Sequence, residues 1–362
     1  MKSLVTKTNI LNILKIALSV FVCVYILIAP ITVFPLLKQN QSLVNKQIKI
    51  DYMGIIELWN IDTFEGGSKS RTNFLEKQAI SFEKKYIGTF IMVYTMSEEQ
   101  AKLNLANGLR PDIVSFGIGI GDELIQSLIP LKSEYNVRSD LIDGGKCNGI
   151  QYAIPYLLGG YVLVNDNEYQ LKDDINTSLG FGGASNNNAS LSIAVNNVKA
   201  NKIFKDSENI DSFNAYDKYL DKKFDTLLGT QRDLYRILNR IDKGNMSSRS
   251  FEYVSGFSDL VQYLGICTTD VIKQDIALEF ITMLLSDKVQ SSISDYNMFS
   301  TTNVKLYSSG EFANMEKALS KNLKTLNVFL TKEKLNEIKQ LSLNCLNGVS
   351  NSFTELKKYL VG

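Results

Sequence analysis

The stretch IKIDYMGIIELWNID, residues 48–62, decides the fold together with the segments that follow it. Residues 48–59 are mostly apolar and β-prone, which predicts a strand that ends at Asn60. A polar loop that contains glycine comes next. A helix is then predicted from apolar residues that recur at helical spacing: Leu75, Ala79, Phe82 and Tyr86.

Two further strands are predicted after this helix. Residues 89–94 are β-prone, and Ser97 with a glutamine three residues later forms a capping box that opens the next helix. A proline then precedes a short strand at 112–116. The order β-α-β-α-β predicts an α/β domain with a parallel sheet and right-handed crossovers. Ligands bind beyond the carboxyl ends of such strands, so the candidate segments are residues 59–71 and 116–122.

The remainder of the chain also mixes strand and helix patterns. Strands are predicted at 156–164 and 224–228, a helix at 211–220, and a loop rich in Gly, Asn and Ser at 180–190. The C-terminal part is predicted to be mostly helical, at residues 277–285, 312–319, 335–346 and 353–360.

Composition narrows the function classes. The chain has 362 residues, which predicts two domains, and its 39 basic and 38 acidic residues leave a net charge of +1. Binding to nucleic acid needs a concentrated basic surface, so we expect no nucleic-acid partner. Histidine is absent, which excludes Ser/His/Asp catalysis and His-ligated zinc from this chain. We expect no catalytic residues, no metal site and no cofactor.

The four cysteines contain no C-x-x-C pair, so a zinc ribbon or a thioredoxin-type site is not predicted. Cys23 and Cys345 lie in apolar patterns and are interpreted as small buried hydrophobes. A disulfide between Cys147 and Cys267 is left open by the sequence.

An apolar segment near the N-terminus predicts a membrane anchor. Residues 16–37 carry no charge, and a helix of these 22 residues would span about 30 Å, the thickness of a bilayer core. Ala29 is followed by proline, which makes a poor cleavage site, so residues 1–39 are expected to stay as an uncleaved anchor. Lipidation at Cys23 is the alternative. Residues from about 40 onward are expected outside the cell.

Four segments together give the chain a resemblance to a known family. They are, in order, IELWNID at 56–62, GLRPDIV at 108–114, YAIPY with GYVLVN at 152–165, and ALEFITMLLSDKVQ at 277–290. This order is similar to that of extracellular solute-binding proteins of carbohydrate-type ABC importers, the group that includes maltose-binding protein. The chain departs from the family at 229–232, where Gly-Thr-Gln-Arg stands in place of Gly-x-x-Trp.

The resemblance implies a two-lobed periplasmic-binding-protein-like α/β fold, with a hinge and a central cleft. Lobe one would comprise residues 45–155 and 259–303, and lobe two residues 156–258 and 304–362. The implied function is capture of a small solute, expected to be a sugar, for ABC permease subunits. The protein would lie at the cell membrane with its globular part outside.

The segment after the first strand supplies four candidate ligand residues. Trp59 offers a flat face to a sugar ring or is a core tryptophan. Asp62 and Glu65 could accept hydrogen bonds from hydroxyl groups or act as solvated or helix-capping acids. Arg71 could clamp an anionic group, or form a structural pair with Asp62.

Four more candidates come from later strand ends. Phe116 and Tyr156 occupy positions where the family contacts ligand, with core packing as the alternative for Phe116. Gln231 and Arg232 follow a strand and a glycine turn, which favours exposure to the cleft.

Two other functions are compatible with these residues. An anchored sensor or adaptor could keep the same fold and report ligand to another membrane protein. A glycoside hydrolase could use Asp62 and Glu65, although two acids on one short loop seldom flank a scissile bond at the required separation.

Overall fold

The computed structural model describes residues 18–19, 52–131, 134–166, 174–182, 188–320 and 322–362. The predicted anchor, residues 16–37, and the alternative lipidation site Cys23 lie outside the described residues, apart from Leu18 and Ser19. Within the described ranges, no helix is both long enough and apolar enough to cross a membrane.

The first sheet has five strands in the order β2-β1-β3-β11-β6. Strands β1, β2 and β3 are parallel, which confirms the predicted β-α-β-α-β arrangement, and β11 pairs antiparallel with β3 and β6. The strands and the two crossover helices are β1 (Gly54–Asp62), α1 (Arg71–Lys85), β2 (Thr89–Ser97), α2 (Glu98–Ala106), β3 (Ile113–Phe116), β6 (Ile154–Leu158) and β11 (Val261–Ile266). Short elements lie between β3 and β6: α3 (Gly121–Leu124), α4 (Ser139–Ile142), β4 (Lys146–Cys147) and β5 (Ile150–Gln151).

The second sheet has four strands in the order β10-β7-β9-β8. Its strands and associated helices are β7 (Tyr161–Asn165), β8 (Leu179–Phe181), α5 (Ala189–Ala194), α6 (Ser212–Leu220), β9 (Thr226–Thr230), α7 (Gln231–Asp242) and β10 (Ser250–Tyr253). We call the elements around the first sheet the first lobe and those around the second sheet the second lobe.

The single strand predicted at 156–164 is wrong, because the chain forms two strands there. β6 belongs to the first sheet and β7 to the second, with Gly159 and Gly160 between them. A Cβ atom on Gly159 would lie 2.7 Å from Gln231 Oε1, and one on Gly160 would lie 2.9 Å from Leu319 Cδ1. The two glycines therefore let the chain cross tightly between the sheets.

A buried aspartate holds the second crossing, between β10 and β11. Asp259 Oδ1 accepts a hydrogen bond from the Tyr161 hydroxyl at 2.6 Å, and Oδ2 accepts one from the Asn188 backbone N–H at 2.7 Å. Burial raises the pKa of the Asp259 carboxyl. Asp259 thus ties the start of β7 and the start of α5 to the crossing.

The C-terminal part is mostly helical, as predicted, and adds to both lobes. Helix α8 contacts β11 and α1 of the first lobe, whereas α10 contacts β10 and α11 packs against α5 of the second lobe. These elements are α8 (Val271–Leu284), α9 (Asp287–Ser291), α10 (Glu311–Leu319), β12 (Thr325–Leu326), α11 (Lys332–Leu346), α12 (Ser352–Leu356) and β13 (Leu360–Val361). Cys147 and Cys267 are both free thiols, so the disulfide that the sequence left open is not formed.

Candidate functional site

A polar cavity of about 350 Å³ lies at the carboxyl ends of β1 and β2, the location expected for a ligand. It is lined from the first lobe by Asp62, Thr63, Ser97, Glu98 and Glu99. The second lobe contributes Asn188, Lys332, Leu335, Asn336 and Lys339. Among the described residues of this lining, Leu335 is the only apolar one.

The first-lobe wall follows from strand register and helix capping. Asp62 and Ser97 are the last residues of β1 and β2 and pair directly in the parallel register. The Ser97 side chain accepts a hydrogen bond from the Gln100 backbone N–H at 3.2 Å, and so caps α2. Glu98 and Glu99 therefore stand in the first turn of α2, where carboxylates are favoured. Hydrogen bonds from its own backbone N–H and from Ser97 lower the pKa of Glu99.

The second-lobe wall is one face of helix α11. Lys332, Leu335, Asn336 and Lys339 are spaced i, i+3, i+4 and i+7, so they lie on the same side of the helix. The side chain of Thr331 caps the helix by accepting from the Lys334 backbone N–H. Burial lowers the pKa of the Lys339 ammonium, which donates to the Glu208 carbonyl at 3.0 Å.

The two walls carry opposite charge. Carboxylates come from the first lobe and ammonium groups from α11, and the Lys332 charge contributes to the lowered pKa of Glu99. The lining offers carboxylate and amide acceptors together with ammonium and amide donors. Such a set of groups suits a ligand with many hydroxyl or other polar groups.

Of the eight residues predicted as ligand contacts, Asp62 is the one that lines this cavity. Its Oδ1 accepts a hydrogen bond from Arg71 Nη2 at 2.8 Å. The Arg71 side chain is buried, its burial lowers the pKa of the guanidinium, and it lies over the Phe64 ring at 4.4 Å. Arg71 and Asp62 thus form the structural pair that was the alternative interpretation.

Glu65, Gln231 and Arg232 come together where the two lobes touch. Gln231 Nε2 donates to the carbonyls of Glu65 at 3.0 Å and Gly66 at 3.1 Å, and the Arg232 guanidinium donates to the Gly67 carbonyl. The start of α7 therefore holds the loop that follows β1.

Sequence reasoning missed two residues of this contact, Arg236 and Asp233. Arg236 Nη2 pairs with Glu65 Oε1 at 3.2 Å, and its Nη1 pairs with Asp233 Oδ1 at 3.1 Å. Burial, with the nearby Glu65 carboxylate, raises the pKa of Asp233 to about 7. The available signal was that Arg236 follows Arg232 by four residues, a spacing that places both on the same face of a helix.

The remaining three predicted contacts, Trp59, Phe116 and Tyr156, are buried and do not line the cavity. Trp59 is 5% exposed, and Phe116 and Tyr156 are fully buried. The Tyr156 hydroxyl lies 2.9 Å from the Ser115 hydroxyl, and burial raises its pKa to about 12. These aromatic side chains support the strand ends from the core side.

A larger cavity of about 470 Å³ lies between the end of β6 and helix α10. Its lining includes Arg138, Leu158, Phe299, Lys305 and Lys317. It adjoins the crossing between the lobes, and its described lining contains no residue from the carboxyl ends of β1 and β2. The smaller cavity is therefore the better candidate for the ligand site.

No family model matches the chain, and no curated protein matches it. Solved structures do match over most of the chain. The GacH receptor of Streptomyces glaucescens matches with a TM-score of 0.58 and 14% identity, over 85% of this chain and 97% of that one. The sugar-binding protein MalE of Xanthomonas citri matches with a TM-score of 0.59 and 13% identity, over 84% and 95% of the two chains.

A third structure gives the same result. The maltose-maltodextrin binding protein of Alicyclobacillus acidocaldarius matches with a TM-score of 0.56 and 14% identity, over 84% of this chain and 98% of that one. The sequence resemblance and the structural likeness thus agree: the chain has the two-domain α/β fold of the maltose-binding-protein-like solute-binding proteins.

Proposed function

We propose that this protein is a membrane-tethered extracellular receptor that captures a carbohydrate and delivers it to an ABC importer. The observation that carries the proposal is the polar cavity of this solute-binding-protein fold. It lies between Asp62 and Glu99 of the first lobe on one side and α11 of the second lobe on the other. A ligand bound there would touch both lobes and stabilise their closure around it.

Carbohydrate is supported by the chemistry of the lining and by the structural neighbours. Sugars present hydroxyl groups that both donate and accept hydrogen bonds, which matches the carboxylate, amide and ammonium groups of the cavity. GacH was solved in complex with acarbose, and another matching structure is a chitin oligosaccharide binding protein. In this chain we assign direct ligand contact to Asp62, Glu99, Lys332 and Asn336.

The seven other predicted site residues would act through the walls of the cleft. Trp59, Phe116 and Tyr156 pack beneath the strand ends, and Arg71 positions Asp62. Glu65, Gln231 and Arg232 join the lobes next to the cavity. We propose that Glu65, Gln231 and Arg232 set the geometry of closure, and that the three buried aromatic residues stabilise the fold.

Binding without catalysis is supported by the ion pairs that the two candidate acids form. Asp62 is paired with Arg71, and Glu65 is paired with Arg236. A glycosidase needs one carboxyl that stays protonated and a second carboxyl across the scissile bond. Two carboxylates that each serve as the partner of an arginine fit a structural and binding role better.

The uncharged segment 16–37 supports the tether, and permease subunits in the same membrane would be the partners. No cofactor is part of the proposal.

The test is calorimetry on the full chain in lipid nanodiscs with a panel of malto- and chito-oligosaccharides. We expect one of them to bind, and Asn336→Ala to weaken that binding by about fivefold, since a hydrogen bond contributes roughly 1 kcal/mol. The matched control is Asn314→Ala, an exposed asparagine that lines the larger cavity. Normal binding by Asn336→Ala with weakened binding by Asn314→Ala would move the site to the larger cavity and contradict the proposal.

A further inference from the structure

We propose that an uncovered apolar face of the first lobe rests on the lipid surface of the membrane that carries the tether. This apolar face consists of Met53, Ile55, Ile87, Phe90, Met92 and Tyr94, all of them exposed. One exposed carboxylate, Glu57, lies on the same side of the sheet, where it pairs with Met92 in the strand register. The inference rests on the tether in the proposed function, and it adds an interaction surface that ligand binding does not require.

Strand register places these side chains on one side of the sheet. Ile55 pairs with Phe90 in the parallel register of β1 and β2, and residues two further along each strand point the same way. Phe90, Met92 and Tyr94 therefore form a row along β2. Met53 and Ile87 precede the two strands, and Met53 lies against Gly88.

Among the described residues, α2 is the helix on this side of the sheet at β1 and β2, and it is too short to cover the face. α2 has nine residues and spans about 14 Å, whereas the nine-residue strand β2 spans about 30 Å. The helix contacts the sheet near its carboxyl end, where Trp59 is buried. The amino half of the same side keeps its apolar residues in contact with water. Contiguous exposed apolar side chains of this kind mark an interaction surface.

The position of the tether selects lipid as the occupant. The chain enters the described unit at Tyr52, whose carbonyl accepts a hydrogen bond from Thr89 Oγ1 at 3.0 Å, at the start of β2. Fourteen residues, 38–51, separate Tyr52 from the end of the uncharged segment at Leu37. At full extension they reach about 50 Å, so the apolar face stays within that distance of the bilayer.

The test is photo-cross-linking of the full chain reconstituted in phosphatidylcholine vesicles. p-Benzoylphenylalanine replaces Phe90 in one variant and Phe213 in a matched control, since both phenylalanines are 54% exposed and Phe213 lies on α6 of the second lobe. Flotation of the vesicles first reports the tether. We expect both variants to float, and lipid adducts at position 90 to exceed those at position 213 by at least fivefold.

Flotation without an excess of lipid adducts at position 90 would overturn the inference and leave the tether standing. Cross-links from position 90 to residues 38–51 of the same chain, or to a second copy, would also overturn it, because they would identify a protein occupant. Failure of the protein to float would contradict both the tether and the membrane contact. Adding Met53→Ser and Ile87→Ser to the position-90 variant should lower its yield of lipid adducts to less than half, which would confirm that the whole face takes part.

Discussion

Gln231, the first residue of α7 in the second lobe, donates a hydrogen bond from Nε2 to the backbone carbonyl of Glu65 in the first lobe at 3.0 Å. Its Oε1 accepts a hydrogen bond from the Gly160 backbone N–H at 3.0 Å, at the crossing between the two sheets. One fully buried amide therefore joins the loop after β1, the crossing and α7.

Replacing this amide should destabilise the fold. Gln231→Leu would leave the buried Gly160 N–H without its partner, and a buried unsatisfied polar group costs about 1–3 kcal/mol. It would also remove two hydrogen bonds to the partly buried carbonyls of Glu65 and Gly66, at a smaller cost. We expect the free energy of unfolding in urea to fall by roughly 2–4 kcal/mol. The control is Gln340→Leu, an exposed position on α11, which should change it by less than about 0.5 kcal/mol. Equal effects of the two substitutions would contradict the role of Gln231.

Asp233 should make stability depend on pH. Burial and the Glu65 carboxylate raise its pKa to about 7, so the native state holds this proton more tightly than the unfolded chain does. The stabilisation is fully present below the unfolded pKa and is lost as the pH rises through about 7. Between pH 5 and pH 8 the wild type should lose about 1–3 kcal/mol more than Asp233→Asn does.

Urea unfolding at the two pH values measures this difference. The control is Asp217→Asn on α6, an exposed aspartate whose variant should follow the wild type. Parallel behaviour of the wild type and Asp233→Asn would show that Asp233 does not carry the proton.

The pair of Asp62 and Arg71 predicts a combined effect on stability and binding. Asp62→Asn removes the carboxylate partner of a buried guanidinium, and because Asp62 is 53% exposed we expect a loss of only about 1–2 kcal/mol. Binding of the oligosaccharide found by calorimetry should also weaken, because Asp62 lines the cavity. Asp295→Asn, in an exposed pair with Lys77 at 3.6 Å, should leave both quantities unchanged. Unchanged affinity in Asp62→Asn would remove Asp62 from the proposed site.

Trp59 is the only tryptophan, so its fluorescence reports a single position. It is buried and outside the cavity lining, and we expect blue-shifted emission that changes little when ligand is titrated. Trp59→Ala should lower the free energy of unfolding by about 3–5 kcal/mol, the range for loss of a buried aromatic side chain. The folded fraction should bind ligand normally. A large change of emission on binding, with lost affinity in folded Trp59→Ala, would instead place Trp59 in the site.

Much of the first lobe could be predicted from the sequence because its signals are local. Periodicity, the Ser97 cap and the proline before β3 marked three strands and two helices, and parallel order followed from the alternation. The crossing at Gly159–Gly160 was missed, since an apolar run with two glycines does not show that its halves belong to different sheets.

The candidate site was predicted less well than the fold. The strand-end argument singled out Asp62, which lines the cavity, but the second wall comes from α11, about 270 residues further along the chain. Lys332, Asn336 and Lys339 look like the solvated face of any amphipathic helix until tertiary packing brings them to Asp62 and Glu99. Gln231 and Arg232 were predicted to be exposed to the cleft, which is wrong for Gln231 because it is fully buried. Their partners are backbone carbonyls of the loop after β1, which no side-chain pattern encodes.

Hydrogen–deuterium exchange of the full chain, with and without a saturating oligosaccharide from the calorimetric panel, tests the central claim most directly. The claim is that ligand binds between two walls. The end of β2 and the start of α2 form the first wall, and the start of α11 forms the second. We predict slower exchange at residues 97–101 and 332–339 on binding, with residues 308–317 beside the larger cavity unchanged. Protection confined to 308–317, or slower exchange in only one lobe, would contradict a site shared between the two lobes.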